Sequence, residues 1–540
     1  MFADLLSPNR ETWPILAAVV LLAIVGSRLR AYSKLRHIPG PRWTGVSEIP
    51  HIRAFLSERC CNWYTTVSET HGPIARVGPN TVLTSSAEFW ESVNVKPGYR
   101  RSKWFYNAAR FDWRRDNVFT MIDTEQHDAR RKMMAPGYSG RENLELERDV
   151  DKCVAKMVHL VGSYADKRGN NTFDLANKLQ FLTLDVIGLV GFGKSFGLLD
   201  VDADPHEFVR STEAGLRRIN KLMALGLSWT NRVPFVGPSA ELDAEKATGF
   251  EKMLTISSDI VGEREKVFQK NLQEESDGGS SKPMKERADM LASFMRNGLF
   301  GDELKTESLL QIVAGSDTTA GALRGTMLYL MSHPRVYRAL QAEIDAAVRD
   351  GKAPNATKSV SVDELEEEDS IISYAQTKSL PYLQAVVREG IRVFPPLTDP
   401  FARDVQPGGD TVVIDGKEVF LPGGVSVIPS WTAMHRDRKL YGADADLFRP
   451  ERWLETQEPD ADRLRAMRRT NDLMFGHGKY TCLGKPVALI EIHKTIFELM
   501  RHFEWGLVNP LKPWDAASLM GLWSIKHMYV QASRRVPSGA

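Results

Sequence analysis

The most constraining stretch of this 540-residue chain is Phe475-Gly476-His477-Gly478-Lys479-Tyr480-Thr481-Cys482-Leu483-Gly484. It sets one cysteine among three glycines, directly before a helical pattern that begins near Lys485. Glycines let backbone N–H groups approach a sulfur closely. A thiolate at a helix N-terminus is stabilised by the helix dipole and by nearby cations, which Lys479 and Lys485 supply. Such a pocket makes Cys482 a nucleophile or a metal ligand. A lone cysteine in a turn is usually inert, but the spacing F-x-x-G-x-x-x-C-x-G is long and strict and favours the ligand. The rest of the chain supplies no His/Asp partner suited to nucleophilic catalysis.

The length exceeds the usual single-core size of about 250–300 residues, so several domains or one large enzyme fold are open. With a net charge of +1, no global field draws the chain to nucleic acid. Cys60, Cys61, Cys153 and Cys482 form neither a disulfide framework nor a CxxC site, which suits a reducing compartment.

Residues 13–27 carry no charge and are followed by Arg28, Arg30, Lys34 and Arg36. The run is short against the ~20 residues of a bilayer span, so flanking residues must contribute. It lacks the basic start and cleavage site of a secretory signal, and nothing nearby pairs with it as a core helix. It reads as a signal anchor over 1–36, with the body on the cytoplasmic side. His37-Ile38-Pro39-Gly40-Pro41 cannot continue a helix and reads as a stiff hinge over 37–50, ahead of a body over 51–540.

Within the body, 73–86 reads as a small hairpin. Residues 99–120 are aromatic and aperiodic, a loop that lines a cavity or packs on its own core; with 205–245 they are candidates for an access route. His127 and Arg131, at i and i+4 of a helix, share one face fit to hold an anion. Helical period dominates 143–270. Residues 272–288 and the acidic run 363–369 read as solvated, and Asn170 and Asn355 open sequons that a cytoplasmic body would not use. The long helix 302–332 contains Ala314-Gly315-Ser316-Asp317-Thr318-Thr319, poor helix formers that predict a bulge beside a ligand, with Asp317–Thr318 as an acid–alcohol pair able to relay protons. Glu389 and Arg392 sit at i, i+3 on a helix, and Arg452 of Phe448-Arg-Pro-Glu-Arg-Trp453 offers the further partner a buried pair needs. Residues 411–429 alternate around Asp415-Gly416 as a hairpin.

Taken in order, the anchor, the proline hinge, AGSDTT, EGIR, FRPERW and FGHGKYTCLG resemble the cytochrome P-450 family, the haem-thiolate monooxygenases, over essentially the whole chain. The resemblance implies a mainly α fold with small β-sheets, one large catalytic domain behind a transmembrane anchor helix. By it, Cys482 is the axial ligand of haem b iron, and Phe475, Gly478 and Gly484 shape the loop and protect the sulfur. Ala314–Thr319 lies over the distal face, where Thr318 with Asp317 delivers protons. Glu389, Arg392 and Arg452 form a structural ion-pair cluster. His127 and Arg131 face the haem propionates, His127 as a hydrogen-bond donor where the family often has Trp. Tyr480 stands where Arg or His is frequent, so a cation is lost there for which Lys479 or another basic residue compensates. The style is similar to fungal microsomal secondary-metabolite members such as pisatin demethylase.

The implied activity inserts one oxygen atom from O2 into a lipophilic small molecule. The chain has no flavin or nicotinamide motif, so electrons come from a partner, by resemblance an NADPH-dependent flavoprotein reductase docking on Lys479, Lys485, Lys494, Arg130 and Lys132. The implied location is the endoplasmic reticulum membrane. Two other haem-thiolate chemistries compete: isomerisation or dehydration without O2, and oxidative coupling or desaturation that leaves no oxygen in the product. A cofactor-free membrane-tethered scaffold is the reading from another class.

Overall fold

A 32-residue helix, Gly301–Ser332, forms the axis of the body in this computed structural model, which describes residues 12–535 apart from 168, 170, 235, 239–248, 277–286, 355–370 and 399. The acidic run 363–369 and the sequons at Asn170 and Asn355 lie outside the described residues. Asp302 and Glu303 in its first turn complement the helix dipole, and Pro334 follows its end. The bulge expected at Ala314–Thr319 does not form. Ser308, Ser316, Thr318 and Thr326 each donate their hydroxyl to the carbonyl four residues back, at 2.7–2.9 Å. The hydroxyls are satisfied inside an unbroken helix instead of loosening it.

Two helices pack on this axis. Leu175–Phe192 lies along it, is 89% buried and ends at Gly193 in the left-handed conformation. Pro381–Val393 crosses it so closely that a Cβ at Gly390 would sit 2.2 Å from Thr326 Oγ1. Its other face carries Glu389, whose carboxylate accepts from Arg392 Nε and Nη2 (2.8 Å each), Arg452 Nε (3.0 Å), Trp453 Nε1 (2.9 Å) and the Arg449 N–H (2.8 Å). The guanidinium groups donate onward to the carbonyls of His435, Ala445, Leu447, Tyr441 and Asp444. Glu389, Arg392 and Arg452 therefore meet as the spacing predicts, and all three side chains are fully buried.

The strands are few. A five-stranded sheet runs in the order Ile74–Gly78, Thr81–Thr84, Ser426–Pro429, Arg403–Asp404, Arg100–Arg101, with only the second and third strands parallel. It includes the hairpin expected at 73–86. The hairpin Asp410–Ile414/Lys417–Leu421 turns at Asp415 and Gly416, both at positive φ (50° and 73°), as its two-residue turn requires. The architecture is mainly helical with small sheets.

At the N-terminus Thr12–Lys34 is one helix, and its Pro14–Lys34 part is long and apolar enough to cross a membrane with none of it buried in the body. Its last turn is fastened down. The Arg76 guanidinium donates to the carbonyls of Tyr32 (3.1 Å), Ala31 (2.7 Å), Gly45 (2.8 Å) and Pro79 (3.0 Å), closing the helix end onto the sheet. Leu35 and Ile38 of the proline segment are buried against the body.

Removing the acid from the Glu389 cluster strands two buried cations. Glu389→Ala is expected to cost about 3–5 kcal/mol. Denaturant unfolding of the detergent-solubilised protein measures it; a loss below 1 kcal/mol would contradict the cluster's role.

Candidate active site

The cysteine loop is built by backbone geometry. Gly476 (φ 77°) and Gly478 (φ 59°) both lie in the left-handed region. A Cβ on Gly476 would sit 2.4 Å from the Tyr480 carbonyl oxygen. That bend brings the Cys482 N–H to the Phe475 carbonyl at 2.6 Å. Gly484 has ordinary φ (−79°) and directly precedes the helix Lys485–His502; a Cβ there would be 3.8 Å from the sulfur. The N–H groups of Gly484 and Lys485 point at Cys482 Sγ from the start of that helix.

The sulfur has accessible surface, and that surface lines a mainly apolar cavity of about 330 Å³. Burial pushes the thiol pKa up; the Gly484 and Lys485 N–H groups, Arg131 and the Lys485 charge only partly offset it. The cations expected to hold a free thiolate do less than the sequence implies. The Lys479 ammonium lies over the Tyr480 ring, 5.3 Å from its centroid.

The same cavity is lined by apolar side chains, among them Phe111, Val118, Phe119, Leu310, Val313 and Phe401. The aromatic stretch 99–120 is thus part of the wall, through Arg101, Tyr106, Phe111, Val118 and Phe119. From the axis helix, Thr318 lines the cavity and Asp317 does not. Asp317 is half-buried away from the cavity, near Arg324 and bonded to Gln180, with Oδ2 unpartnered; desolvation raises its carboxyl to about 6. The expected acid–alcohol pair is split between the two sides of the helix. A second acid is on the wall. Glu491 of Lys485–His502 is raised by burial alone to about 8, with Oε1 unpartnered. Its position in the helix carries no motif that would have singled it out.

At one end of the cavity positive charge collects. Arg101 and Arg403 are directly opposite across the antiparallel pair Arg100–Arg101/Arg403–Asp404. Their guanidinium carbons sit 4.8 and 4.2 Å from the Tyr480 ring centroid. Arg131 lines the same cavity. None of the three forms an ion pair with a described carboxylate. Like charges directly opposite in a sheet are destabilising, and burial adds to the cost. Burial, with Arg403 assisting, lowers Arg101 to about 10, and burial lowers Arg131 as well. Nε of both Arg101 and Arg403 has no partner.

His127 is on this face as predicted, but it is not a cation. Burial first, then Arg101 and Arg131, lower it to about 4 against the pull of Asp128. A guanidinium only donates, so His127 Nε2 accepts from Arg101 Nη2 (3.3 Å) and Nδ1–H donates to Asp128 (2.7 Å). The ring orients Arg101 instead of donating into the cavity.

A sulfur at a helix start, an apolar slot and unpaired cations at one rim define the site. The profile of the Cytochrome P450 family matches residues 38–530. The chain belongs to the cytochrome P-450 family. It is 33% identical to the cytochrome P-450 monooxygenase ABA1 of Pyricularia oryzae, over 99% of both chains. It is 31% identical to aba1 of Botryotinia fuckeliana over 92% of both, and 29% identical to pkfB of Emericella nidulans over 92% of this chain and 91% of that one. The protein is a haem-thiolate monooxygenase that uses O2, a redox partner and a small-molecule substrate.

The residues present fit haem. Unpaired guanidinium groups suit its carboxylates, and the apolar slot between Cys482 and Thr318 suits its ring. Arg101 and Arg403 set two guanidinium groups against the Tyr480 ring, where the sequence lacks a cation. Neither belongs to a sequence motif; they meet only because distant strands pair. Two cations expected at a docking face are buried in the P-450 instead. Arg130 is paired with Glu303 and Glu307, and Lys494 with Glu147 and Asp151. A charged surface groove of about 1350 Å³, lined by Arg436, Arg465, Arg468, Arg469 and Lys485 among acidic residues, opens beside the cysteine loop.

Arg403→Leu is expected to stabilise the haem-free protein, by relieving repulsion, and to lower its haem affinity by about tenfold or more. Thermal unfolding of apo-protein and haem titration measure the two effects. Loss of stability together with unchanged haem affinity would contradict the charge account.

Proposed function

We propose that Cys482 would bind haem iron through its sulfur, with Phe475, Gly478 and Gly484 shaping its loop, and that Arg101, Arg131 and Arg403 would hold the propionates with His127 orienting Arg101. The observation that carries this is the convergence of one sulfur and three unpaired guanidinium groups on a single apolar cavity. Haem, when bound there, supplies activation of O2 and transfer of one oxygen atom. The protein's own part is to exclude water, orient the substrate and move protons. Thr318 Oγ1 lines the cavity and gives its one proton to the Ala314 carbonyl at 2.9 Å; it would donate into the cavity by turning its hydroxyl away from that carbonyl. Asp317, raised to about 6, stores a proton away from the cavity and reaches it only by rotating its side chain. Glu389, Arg392 and Arg452 act in folding and haem retention.

The substrate is a lipophilic small molecule in fungal secondary-metabolite biosynthesis, a reading supported by the apolar and aromatic wall and by the fungal relatives. Helix Thr12–Lys34 is the single-pass anchor in the endoplasmic reticulum membrane, and the basic residues after its apolar run favour a cytoplasmic catalytic domain. An NADPH-dependent flavoprotein reductase docks at the charged groove beside the cysteine loop, where Lys485, Arg465, Arg468 and Arg469 would exchange their present acidic partners for those of the reductase.

The test is turnover with a reductase, candidate lipophilic substrates and isotopically labelled O2. The expected product carries one labelled oxygen atom. An identified product in which a new oxygen comes from water would sink monooxygenation. Thr318→Ala is expected to keep haem content and lower product formed per NADPH consumed by about tenfold; unchanged coupling would remove Thr318 from the proton route.

A further inference from the structure

Glu307 lies on the axis helix, eleven residues before Thr318, and its side chain is fully buried. One of its oxygens, Oε1, accepts both the Val118 N–H and Arg130 Nη1, each at 2.8 Å. Its other oxygen has no partner. A buried carboxylate with a bare oxygen is an expensive side chain to keep where an apolar one would pack. What it provides is a three-way junction. Val118 lies near the end of the aromatic stretch, just before the helix Thr124–Tyr138, and Arg130 belongs to that helix.

The Val118 peptide is gripped from both sides. Its N–H goes to Glu307, and its carbonyl accepts from Arg101 Nη1 at 2.7 Å, which also holds the Met121 carbonyl at 3.0 Å. Around it the loop is closed on itself, with Asn117 Oδ1 accepting from the Phe119 and Thr120 N–H groups at 3.0 and 2.9 Å. Neighbouring pairs repeat the attachment: Arg130 with Glu303 at 2.7 Å, and Arg115 with Asp302 at 2.8 Å. The residues this grip places are Val118 and Phe119, both on the cavity wall.

We propose that Glu307 is a positioning residue for substrate selection, pinning the 110–122 loop to the axis helix so that Val118 and Phe119 form a fixed wall above the reaction site. Nothing in the P-450 motifs points to this residue; the assignment rests on the haem reading only in that its wall faces the proposed haem cavity. Loss of the carboxylate frees one loop peptide and leaves Arg130 with Glu303 alone. Ligands that touch the wall then lose affinity, and ligands too small to touch it do not.

The experiment titrates holo-protein with imidazole and with 4-phenylimidazole, reading the Soret shift of nitrogen ligation, for the unaltered chain, Glu307→Ala and Glu307→Gln. In Glu307→Ala the dissociation constant for 4-phenylimidazole is expected to rise about tenfold, the worth of one charge-assisted hydrogen bond, and that for imidazole less than about twofold. Glu307→Gln is expected in between, since its amide oxygen still accepts from Val118. Hydrogen exchange of the Val118 amide is expected to quicken in the same order. Equal weakening of both ligands, or no change in either, would overturn the proposal. Should Glu307→Ala fail to fold, Glu307→Gln gives the same comparison. Absence of any Soret shift in the unaltered protein would instead count against the haem assignment.

Discussion

Positive charge without a partner organises this site. Arg101 and Arg403 face each other across two short strands, stack on the two-sided surface of Tyr480, and share a cavity with Arg131 and no described ion-pair acid. Burial costs a guanidinium several kcal/mol, and a like charge opposite adds to that. Such an arrangement persists when the surrounding structure over-determines it and a ligand with negative charge completes it. The Glu389 cluster is the internal contrast. There, two buried guanidinium groups share one carboxylate and several carbonyls, and nothing is left unsatisfied for a ligand to take. One set of arginines shares a buried carboxylate; the other is bonded to carbonyls and neutral side chains and meets no described carboxylate.

The same contrast runs along the axis helix. Its hydroxyls are spent on the helix's own carbonyls, which keeps it straight beside the cavity. Its acids are placed differently. Glu307 is fully engaged at one oxygen and ties down the loop above the site, whereas Asp317 is turned away with an oxygen to spare. Thr318 alone of the Asp317–Thr318 pair meets the cavity. The hydroxyl that lines the cavity and the acid next to it in the chain therefore sit in different surroundings.

What was legible in the sequence follows from range. The cysteine loop, the Asp415-Gly416 turn and the Glu389–Arg392 spacing are set by residues close in the chain, where glycine conformation and helical period act directly. Arg452 was readable because it belongs to a compact run. Arg101 and Arg403 were not, since about 300 residues separate them and only strand pairing makes them neighbours. Polarity alone also misjudged Arg130 and Lys494, which look like surface cations and are buried in ion pairs. The bulge predicted at Ala314–Thr319 failed for a related reason: serine and threonine hydroxyls can weaken a helix or be absorbed by it, and packing against Leu175–Phe192 decided for the latter. His127 lies on the predicted face, but its Nε2 accepts from Arg101 where the resemblance implies a donor, because burial keeps the imidazole neutral.

The account stands or falls on the sulfur at Cys482. The most direct measurement is the difference spectrum of the reduced, CO-bound protein beside that of Cys482→Ser, at matched protein concentration. The unaltered chain is predicted to show the red-shifted Soret band of thiolate ligation, and the serine variant to lack it. A serine variant that kept the band, or an unaltered protein that bound haem without it, would contradict the assignment.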